Sequence, residues 1–360
     1  MAYTTINNPG DYFSITEWTG NAGANAITGV GFAPNLLWAK SRSNVNSHAW
    51  FDTANASSGF SVSSSNSAAQ YDQNSDGFGS MDSDGYTWTG DGGGGGVNSS
   101  GLTYVGWNWN AATNSGKPTV GETITPTSYA ISAASGFGIY RWNGTAGTGA
   151  IAHGLNSAPK WFVVKRTDGV ANWYSGGSVL TSGDYNIYFN DSDAEGNAGS
   201  ALWQSNFPSS TLMYLGTDGD VNGASRTFVM YAFAPVKGFS AMGTYKGTGD
   251  ADISPYIHCG FRPAMLFMKN RSSGSEDWHL YDNRREYPFN VASKTLDPNN
   301  TNAEYTIASG VDFLANGFKW RATATALNGS GADYLYIAVA ETPFVNSPSS
   351  IEDAVPGNAR

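Results

Sequence analysis

The chain has 360 residues and a formal net charge of −10 at pH 7, and 13% of its residues are charged. This acidic balance, without a basic stripe, argues against a nucleic-acid partner, because phosphate binding relies on clustered Lys and Arg. No apolar run approaches the ~20 residues of a membrane helix, so membrane insertion is not expected. The single cysteine, Cys259, excludes an internal disulfide. Residues 1–6 lack a signal-peptide pattern, so synthesis in a reducing cytosol is expected.

A segment near the amino terminus recurs twice along the chain. Residues 31–42 read Gly-Phe-Ala-Pro-Asn-Leu-Leu-Trp-Ala-Lys-Ser-Arg, and residues 260–271 read Gly-Phe-Arg-Pro-Ala-Met-Leu-Phe-Met-Lys-Asn-Arg. Residues 154–166 form a looser copy. The second and third copies lie roughly 100 residues apart, which is the size of a small domain and longer than the ~20–50 residues of solenoid or propeller repeats.

The composition of each copy predicts an all-β fold. Gly, Ser, Asn and Thr fill the turns, aromatic and β-branched residues fill the runs between them, and no amphipathic helix exceeds a turn or two. Apolar runs such as residues 36–40 and 265–269 suit strands that are covered on both faces. Two packed antiparallel sheets of about 100 residues satisfy this pattern economically. We therefore predict three tandem β-sandwich repeats.

The repeat spacing also predicts the domain organisation. The 113–133 segment has no counterpart between the second and third copies, so we interpret it as a linker or an extra strand. The short join between the second and third repeats implies neighbours that are packed and nearly fixed. The predicted units are repeat 1 over 1–112, the linker over 113–133, repeat 2 over 134–235, repeat 3 over 236–345 and an irregular tail over 346–360.

Most of the twelve tryptophans occupy positions that recur between the copies. Trp38 aligns with Val163 and Phe267, and a position that accepts Trp, Val and Phe is a core position rather than a platform for sugar stacking. We align Trp50 with the tryptophans that follow the lysine in the other two copies, Trp173 and Trp278. Trp203 alone has no counterpart.

Metal binding has one weak candidate. Asp72, Asn74 and Asp76, followed by a glycine, have the oxygen-ligand spacing of a calcium loop. The twelfth position is Ser83 rather than a bidentate Glu, and no helices are expected on either side. Calcium is therefore the one cofactor considered, and a solvated acidic turn is the competing interpretation.

Catalysis has little support in the sequence. The four histidines are spread apart without metal spacing, and no Gly-x-Ser-x-Gly elbow occurs. No acidic site recurs in all three copies, so the chain is not expected to be an enzyme. Acidic loop residues such as Asp193 and Glu195 leave open a carboxylate pair of the kind that hydrolyses glycosides.

A Lys-x-Arg pair is the one charged feature that recurs. It comprises Lys40 with Arg42 and Lys269 with Arg271, and the second copy is compressed to adjacent Lys and Arg at 165 and 166. The pair either binds acidic sugars or ends a strand and pairs with local acids such as Asp52 or Asp282. We favour the second interpretation, and such surface pairs contribute little energy.

This pattern resembles a family of bacteriophage virion proteins that are common in marine and cyanobacterial phages. The resemblance rests on the tandem Gly-Phe-x-Pro, apolar strand and Lys-x-Arg segments, and on a distal Asp-Phe-Leu-Ala-Asn-Gly-Phe block at residues 312–318. It covers nearly the whole chain and is clearest in the first and third copies. It implies a concanavalin-like or jelly-roll-type β-sandwich and a role in tail fibres, spikes or other appendages, and it supplies no catalytic residues.

We therefore expect a non-enzymatic structural protein of the virion, synthesised in the host cytoplasm. The leading hypothesis is a tail fibre or adhesin that contacts a polysaccharide on the host surface. The alternatives are a head fibre or capsid decoration protein and, with less support, a polysaccharide depolymerase. Expected partners are other virion proteins and a host surface glycan, and a homotrimer is considered because fibres are usually trimeric.

Ligand contacts are expected in the loops that differ between copies, because the scaffold demands nothing there. The candidate ligand-binding residues are Tyr71, Tyr185, Tyr188, Trp203, Arg285, Tyr287 and Tyr305.

Overall fold

The computed structural model describes residues 4–55, 59–73, 77–91, 96–286 and 290–340. Nearly all of their regular structure is β, with three one-turn helices, so the prediction of an all-β sandwich fold is confirmed. The predicted tail over 346–360 lies outside the described residues. In the described part of the chain, no helix combines the length and apolarity needed to cross a bilayer.

The first repeat folds into two antiparallel sheets. A 3-10 turn over Pro9–Asp11 precedes them. The strands are β1 Phe13–Thr19, β2 Asn25–Thr28, β3 Leu36–Ser41, β4 Ala49–Asp52, β5 Phe60–Val62, β6 Tyr71–Asp72, β7 Phe78–Asp82, β8 Gly85–Trp88 and β9 Thr103–Trp109. The larger sheet has the order β1-β9-β3-β4-β5-β6, and the smaller has the order β2-β8-β7.

The second repeat has the same plan with a longer sheet. Its elements are β10 Ala112–Thr113, β11 Ser128–Ser132, β12 Phe137–Asn143, β13 Gly149–Ala152, β14 Trp161–Arg166, β15 Trp173–Gly176, β16 Tyr185–Tyr188, β17 Gly196–Asn197, α1 Ser200–Trp203, β18 Leu212–Leu215, α2 Gly219–Asn222 and β19 Thr227–Phe233. The larger sheet has the order β10-β11-β12-β19-β14-β15-β16-β17, and β13 pairs with β18. Strand β11 lies in the 113–133 segment and pairs along its length with β12, so this part of the segment is an extra strand rather than a free linker.

The third repeat has two four-stranded sheets. Its elements are β20 Ser240–Lys246, β21 Tyr256–His258, β22 Pro263–Asn270, β23 Trp278–Asp282, β24 Ala292–Thr295, β25 Tyr305–Leu314, β26 Gly317–Trp320, α3 Thr325–Asn328 and β27 Asp333–Ala340. One sheet has the order β20-β27-β22-β23, and the other has the order β21-β26-β25-β24.

The continuous apolar runs are strands with both faces buried. All six residues of β3 are buried, and successive side chains point to opposite faces. Leu37 packs with Tyr86 and Trp88 of the smaller sheet of the same repeat. Trp38 points the other way, into a cluster with residues of all three repeats. Each larger sheet therefore faces its own smaller sheet on one side and the other repeats on the other side.

The three larger sheets enclose one shared core around an approximate threefold axis. The ring of Trp38 lies 6.2 Å from that of Phe267, and Phe267 lies 5.1 Å from Trp161. Trp50 lies 5.4 Å from Trp173, so every pair of repeats is joined by ring contacts. Because large aromatic rings bury much apolar area, this core is a main source of cohesion between the repeats. The packed neighbours expected for the second and third repeats are thus part of a closed ring of three.

Each copy opens with an aromatic residue followed two positions later by a glycine, at 20, 144 and 247, and this recurrence has a steric cause. A Cβ on Gly20 or Gly144 would overlap a backbone carbonyl oxygen, that of Ser99 or Gly223. The same crowding occurs at Gly247 in the third repeat. Only glycine permits this close approach of two backbones.

Candidate ligand-binding cleft at the repeat junctions

The strand register identifies which residues are equivalent between repeats. Lys165 lies opposite Trp173 and Lys269 lies opposite Trp278. In the first repeat, the pairing of Ala39 with Ala49 places His48, not Trp50, opposite the lysine. The alignment of Trp50 with Trp173 and Trp278 is therefore wrong. His48 and Trp173 each lie eight residues beyond their lysine and Trp278 lies nine beyond its own, so matching by residue type rather than by spacing placed Trp50 out of register.

The ring N–H groups of His48, Trp173 and Trp278 make equivalent hydrogen bonds across the three junctions between repeats. Trp38 Nε1 donates to His48 Nδ1 at 2.7 Å, which leaves the proton of the neutral imidazole on Nε2. Complete burial holds the pKa of His48 well below its ordinary value, so the ring stays neutral. The cross-junction bonds run from His48 Nε2 to Asp297 O at 3.1 Å, from Trp173 Nε1 to Ser63 O at 2.8 Å and from Trp278 Nε1 to Tyr188 O at 2.9 Å.

The lysine of each Lys-x-Arg pair is buried and bonds to backbone carbonyls, including one in a neighbouring repeat. The expected pairing of these lysines with Asp52 or Asp282 is therefore wrong. Burial lowers the pKa of Lys40 and Lys165 to about 7 and that of Lys269 to about 8. The cross-junction bonds run from Lys40 Nζ to Thr301 O at 3.4 Å, from Lys165 Nζ to Ser67 O at 2.9 Å and from Lys269 Nζ to Ser192 O at 3.0 Å.

The arginine position is filled in two junctions and altered in the third. Backbone bonds show the equivalence, because the N–H groups of Glu304, Glu195 and Gln70 donate to the carbonyls of Arg42, Arg271 and Thr167. At the junction of repeats 1 and 3, Arg42 pairs with Glu304 at 3.0 Å. At the junction of repeats 2 and 3, Arg271 pairs with Glu195 at 3.3 Å. At the junction of repeats 1 and 2, Thr167 and Gln70 stand in place of the ion pair.

A cleft of about 210 Å³ opens where that ion pair is missing, and we call it the 1–2 cleft. Arg141 of the second repeat crosses its floor and binds Asp52 of the first repeat through two bonds of 2.7 and 3.2 Å. Tyr231 Oη donates to the same carboxylate at 2.9 Å. The lining includes Asn55, Gln70, Thr127, Arg141, Trp142 and Asn143.

The sequence interpretation missed the residues of the 1–2 cleft. The available signal was the compressed second copy, in which Lys165 and Arg166 are adjacent and Thr167 occupies the position of Arg42 and Arg271. The departure from the repeat pattern is visible in the sequence. Its consequence is visible only once Gln70, about a hundred residues earlier, is placed opposite Thr167.

A second cleft, of about 280 Å³, lies on the first repeat beside Tyr71. The Tyr71 side chain is 48% exposed on β6 at the edge of the larger sheet. Tyr305 occupies the equivalent position in the third repeat, because Ser61 pairs with Tyr71 as Thr295 pairs with Tyr305. Its hydroxyl bonds to Asp297 Oδ1 at 3.1 Å. These two predicted residues therefore occupy equivalent positions on two repeats rather than one site.

The other predicted ligand residues are dispersed. Tyr185 and Tyr188 are half-buried on β16, and Tyr188 packs edge-on against Tyr174 with ring centroids 5.2 Å apart. Tyr287 lies outside the described residues. For the calcium candidate, Asp72 is exposed on β6, whereas Asn74 and Asp76 lie outside the described residues.

Two predicted ligand residues are structural instead. Trp203 is 1% exposed and packs edge-on against Phe162 at 4.7 Å, because helix α1 turns it into the core of the second repeat. The Arg285 side chain is buried, binds Asp282 at 2.6 Å and Glu304 at 3.2 Å, and lies over the ring of Trp107. Neither offers a free surface to a ligand.

The two ends of the ring of repeats differ. We call the end where β3, β14 and β22 finish, just after their lysines, the lysine end, and the opposite end the connection end. The antiparallel neighbours β9, β19 and β27 finish at the connection end, so the chain passes between repeats there. Thr4 shares a cleft with Pro235, and Ala340 N donates to Phe239 O at 2.7 Å. The first and last described residues thus lie at the connection end, and the lysine end consists of loops.

The model of a family described as a domain of unknown function, DUF7483, matches residues 8–343. The chain belongs to the DUF7483 family. This match spans all three repeats, as does the shared core of this DUF7483 protein. No curated protein matches the chain.

Proposed function

We propose that this DUF7483 protein is a non-enzymatic virion component, a tail fibre or adhesin that contacts a host surface glycan. The observation that carries the proposal is the division of the ring into two ends. The chain passes from repeat to repeat at the connection end, which suits attachment to the rest of the particle. The lysine end presents loops on a rigid scaffold, the arrangement on which binding surfaces are commonly built.

The loops at the lysine end vary while the residues beneath them do not. The three lysines and their carbonyl partners recur at every junction. Above them, Val45 and Val170 occupy equivalent positions five residues beyond their lysines and are exposed by 60% and 71%, and the third copy has Gly274. Constant anchors below variable tips favour a recognition surface whose specificity can change without loss of the fold.

The test is binding of purified, labelled protein to intact cells. We expect saturable binding to a susceptible host strain, little binding to unrelated bacteria, and competition by the extracted surface polysaccharide. Multivalent display on beads raises avidity when single contacts are weak. Absence of binding by folded, multivalent protein to every strain that the phage infects would contradict the adhesin proposal.

A second candidate is a head fibre or capsid decoration protein, favoured by the approximate threefold symmetry within one chain. Three equivalent surfaces on a monomer can each contact one subunit of a threefold position on a particle. This candidate predicts binding to purified particles that lack the protein and no binding to cells. A depolymerase has less support, since Glu195 is already engaged by Arg271 and Thr181.

A further inference from the structure

We propose that the 1–2 cleft binds one neutral pyranose residue of a glycan. The inference rests on the proposed function and assigns its glycan contact to a named place. The two other junctions serve as internal references, because they have the same backbone connections but carry an Arg–Glu pair. Thr167 is shorter than the arginine at the equivalent positions, and Gln70 is uncharged where the other junctions have glutamate. The volume that the ion pair would occupy is left open.

The Arg141 guanidinium in the 1–2 cleft has hydrogen-bonding capacity to spare. Arg141 uses Nε and Nη2 on Asp52, whereas its Nη1 has a single contact of 3.4 Å with Gln70 Oε1. Asn55 Nδ2 reaches the same Gln70 oxygen at 3.3 Å. Both contacts are at the long limit of hydrogen bonding, so a ligand hydroxyl can replace them at little cost. Asn143 is exposed at the edge of the cleft and adds an amide donor and acceptor.

The cleft offers polar groups to a sugar, whereas the aromatic rings behind it belong to the core of the second repeat. Trp142 and Phe228 border the cleft, but each is 1% exposed, and their rings stack within that core with centroids 5.2 Å apart. A pyranose offers hydroxyls around its rim and C–H groups on its faces. The amides of Gln70 and Asn143 and the guanidinium of Arg141 match the hydroxyl rim, because each planar group can orient a pair of hydroxyls.

Size and charge narrow the ligand to a single neutral ring. The cleft of about 210 Å³ is smaller than the ~300–1,000 Å³ pockets of drug-sized ligands, so it suits one monosaccharide unit rather than an enclosed disaccharide. The charge of Arg141 is already matched by Asp52 at 2.7 Å. A carboxylated sugar would have to compete with that pair, and the net charge of −10 repels polyanions.

The decisive variant is T167R/Q70E, which introduces into the 1–2 cleft the ion pair found at the other two junctions. The same pair is accommodated at two equivalent places, so the variant is expected to fold, which circular dichroism and the urea midpoint verify. Titration of full-length protein with methyl hexosides, followed by saturation-transfer NMR, is expected to give a Kd of roughly 1–10 mM for at least one of them, as a few hydrogen bonds allow. T167R/Q70E is expected to weaken this binding at least tenfold.

Two further variants provide a control and an independent test of the site. R271T/E195Q removes the ion pair at the junction of repeats 2 and 3 and leaves the 1–2 cleft untouched, so hexoside binding is expected to stay at the wild-type level. N143A alters an exposed side chain at the edge of the cleft and is expected to weaken binding a few-fold. If T167R/Q70E does not fold, the effect of N143A on hexoside binding tests the site instead.

The outcomes separate the site from the function. Absence of hexoside binding by wild-type protein, equal binding by T167R/Q70E, or tighter binding of methyl glucuronide would each overturn the assignment of a neutral pyranose to the 1–2 cleft. If T167R/Q70E still binds cells, the adhesin proposal holds but the 1–2 cleft is not its contact site. If hexosides bind at the 1–2 cleft but the protein binds no cells, the adhesin proposal is wrong and the assignment of the sugar site holds.

Discussion

The buried ion pair between Asp52 and Arg141 offers a sharp test of how repeats 1 and 2 are held together. The Asp52 side chain is fully buried, and Arg141 retains 11% of its side-chain exposure. Asp52 accepts two bonds from Arg141, one from the Tyr231 hydroxyl at 2.9 Å and one from the Asn55 backbone N–H at 3.0 Å. Replacement of Asp52 by Ala leaves the guanidinium without a counter-charge in the junction.

The size of the effect follows from this burial. Breaking a buried pair by removal of one partner costs about 3–5 kcal/mol, whereas an exposed pair contributes about 0.2–1 kcal/mol. We therefore expect D52A and R141T each to lower the free energy of unfolding by about 3–5 kcal/mol. The double variant removes both charges, and threonine already occupies the position of Arg141 in the third repeat, as Thr244. It is expected to cost no more than either single variant, which gives a coupling energy of at least about 2 kcal/mol.

The assay is urea denaturation of the four proteins of this cycle, followed by tryptophan fluorescence. The matched control is D168A, because Asp168 pairs with Arg166 at 2.8 Å while keeping 34% side-chain exposure. D168A is expected to cost less than about 1 kcal/mol. If the costs of D52A and R141T simply add in the double variant, the two side chains act independently and the argument from a buried pair is refuted.

Three further outcomes follow from the junctions. Burial lowers the pKa of Lys40 and Lys165 to about 7, so between pH 7 and 10 the unfolded chain binds more protons than the folded one. The urea midpoint is therefore expected to rise with pH over that range. The K165M variant is expected to show a smaller rise, and a midpoint that falls with pH would contradict the prediction. G144A is expected to destabilise by about 1–3 kcal/mol, because its Cβ would overlap the Gly223 carbonyl, while G196A, whose Cβ meets open space, is expected to change stability by less than about 0.5 kcal/mol. Because all repeats share one core, calorimetry is expected to show a single cooperative transition, and separate transitions for the repeats would speak against that core.

The sequence alone predicted the strands, the turns and the division into three repeats. This succeeded because strand and turn patterns are local, and three copies show which positions tolerate only buried apolar residues. The position shared by Trp38, Val163 and Phe267 is an example, since all three are buried in the shared core as expected. The glycines at 20, 144 and 247 also recur in the sequence, and the structure supplies the steric cause.

The register of the aromatic residues and the fate of several loop side chains were decided by tertiary structure. Alignment by residue type hid the equivalence of His48 with Trp173, although each lies eight residues beyond its lysine, and strand pairing reveals it. Trp203 and Arg285 look like loop residues in the sequence, yet both are buried by segments distant in the chain.

The closure of the three repeats into a ring, and with it the 1–2 cleft, depends on contacts that no local pattern encodes. Lys40 bonds to Thr301 across 261 positions of the chain, and Arg141 meets Asp52 across 89. The sequence determines which strands form, because backbone propensity and apolar alternation act over a few residues. Which surfaces of those strands meet is settled only when the whole chain packs, because burial of the shared core selects among pairings that are locally equivalent.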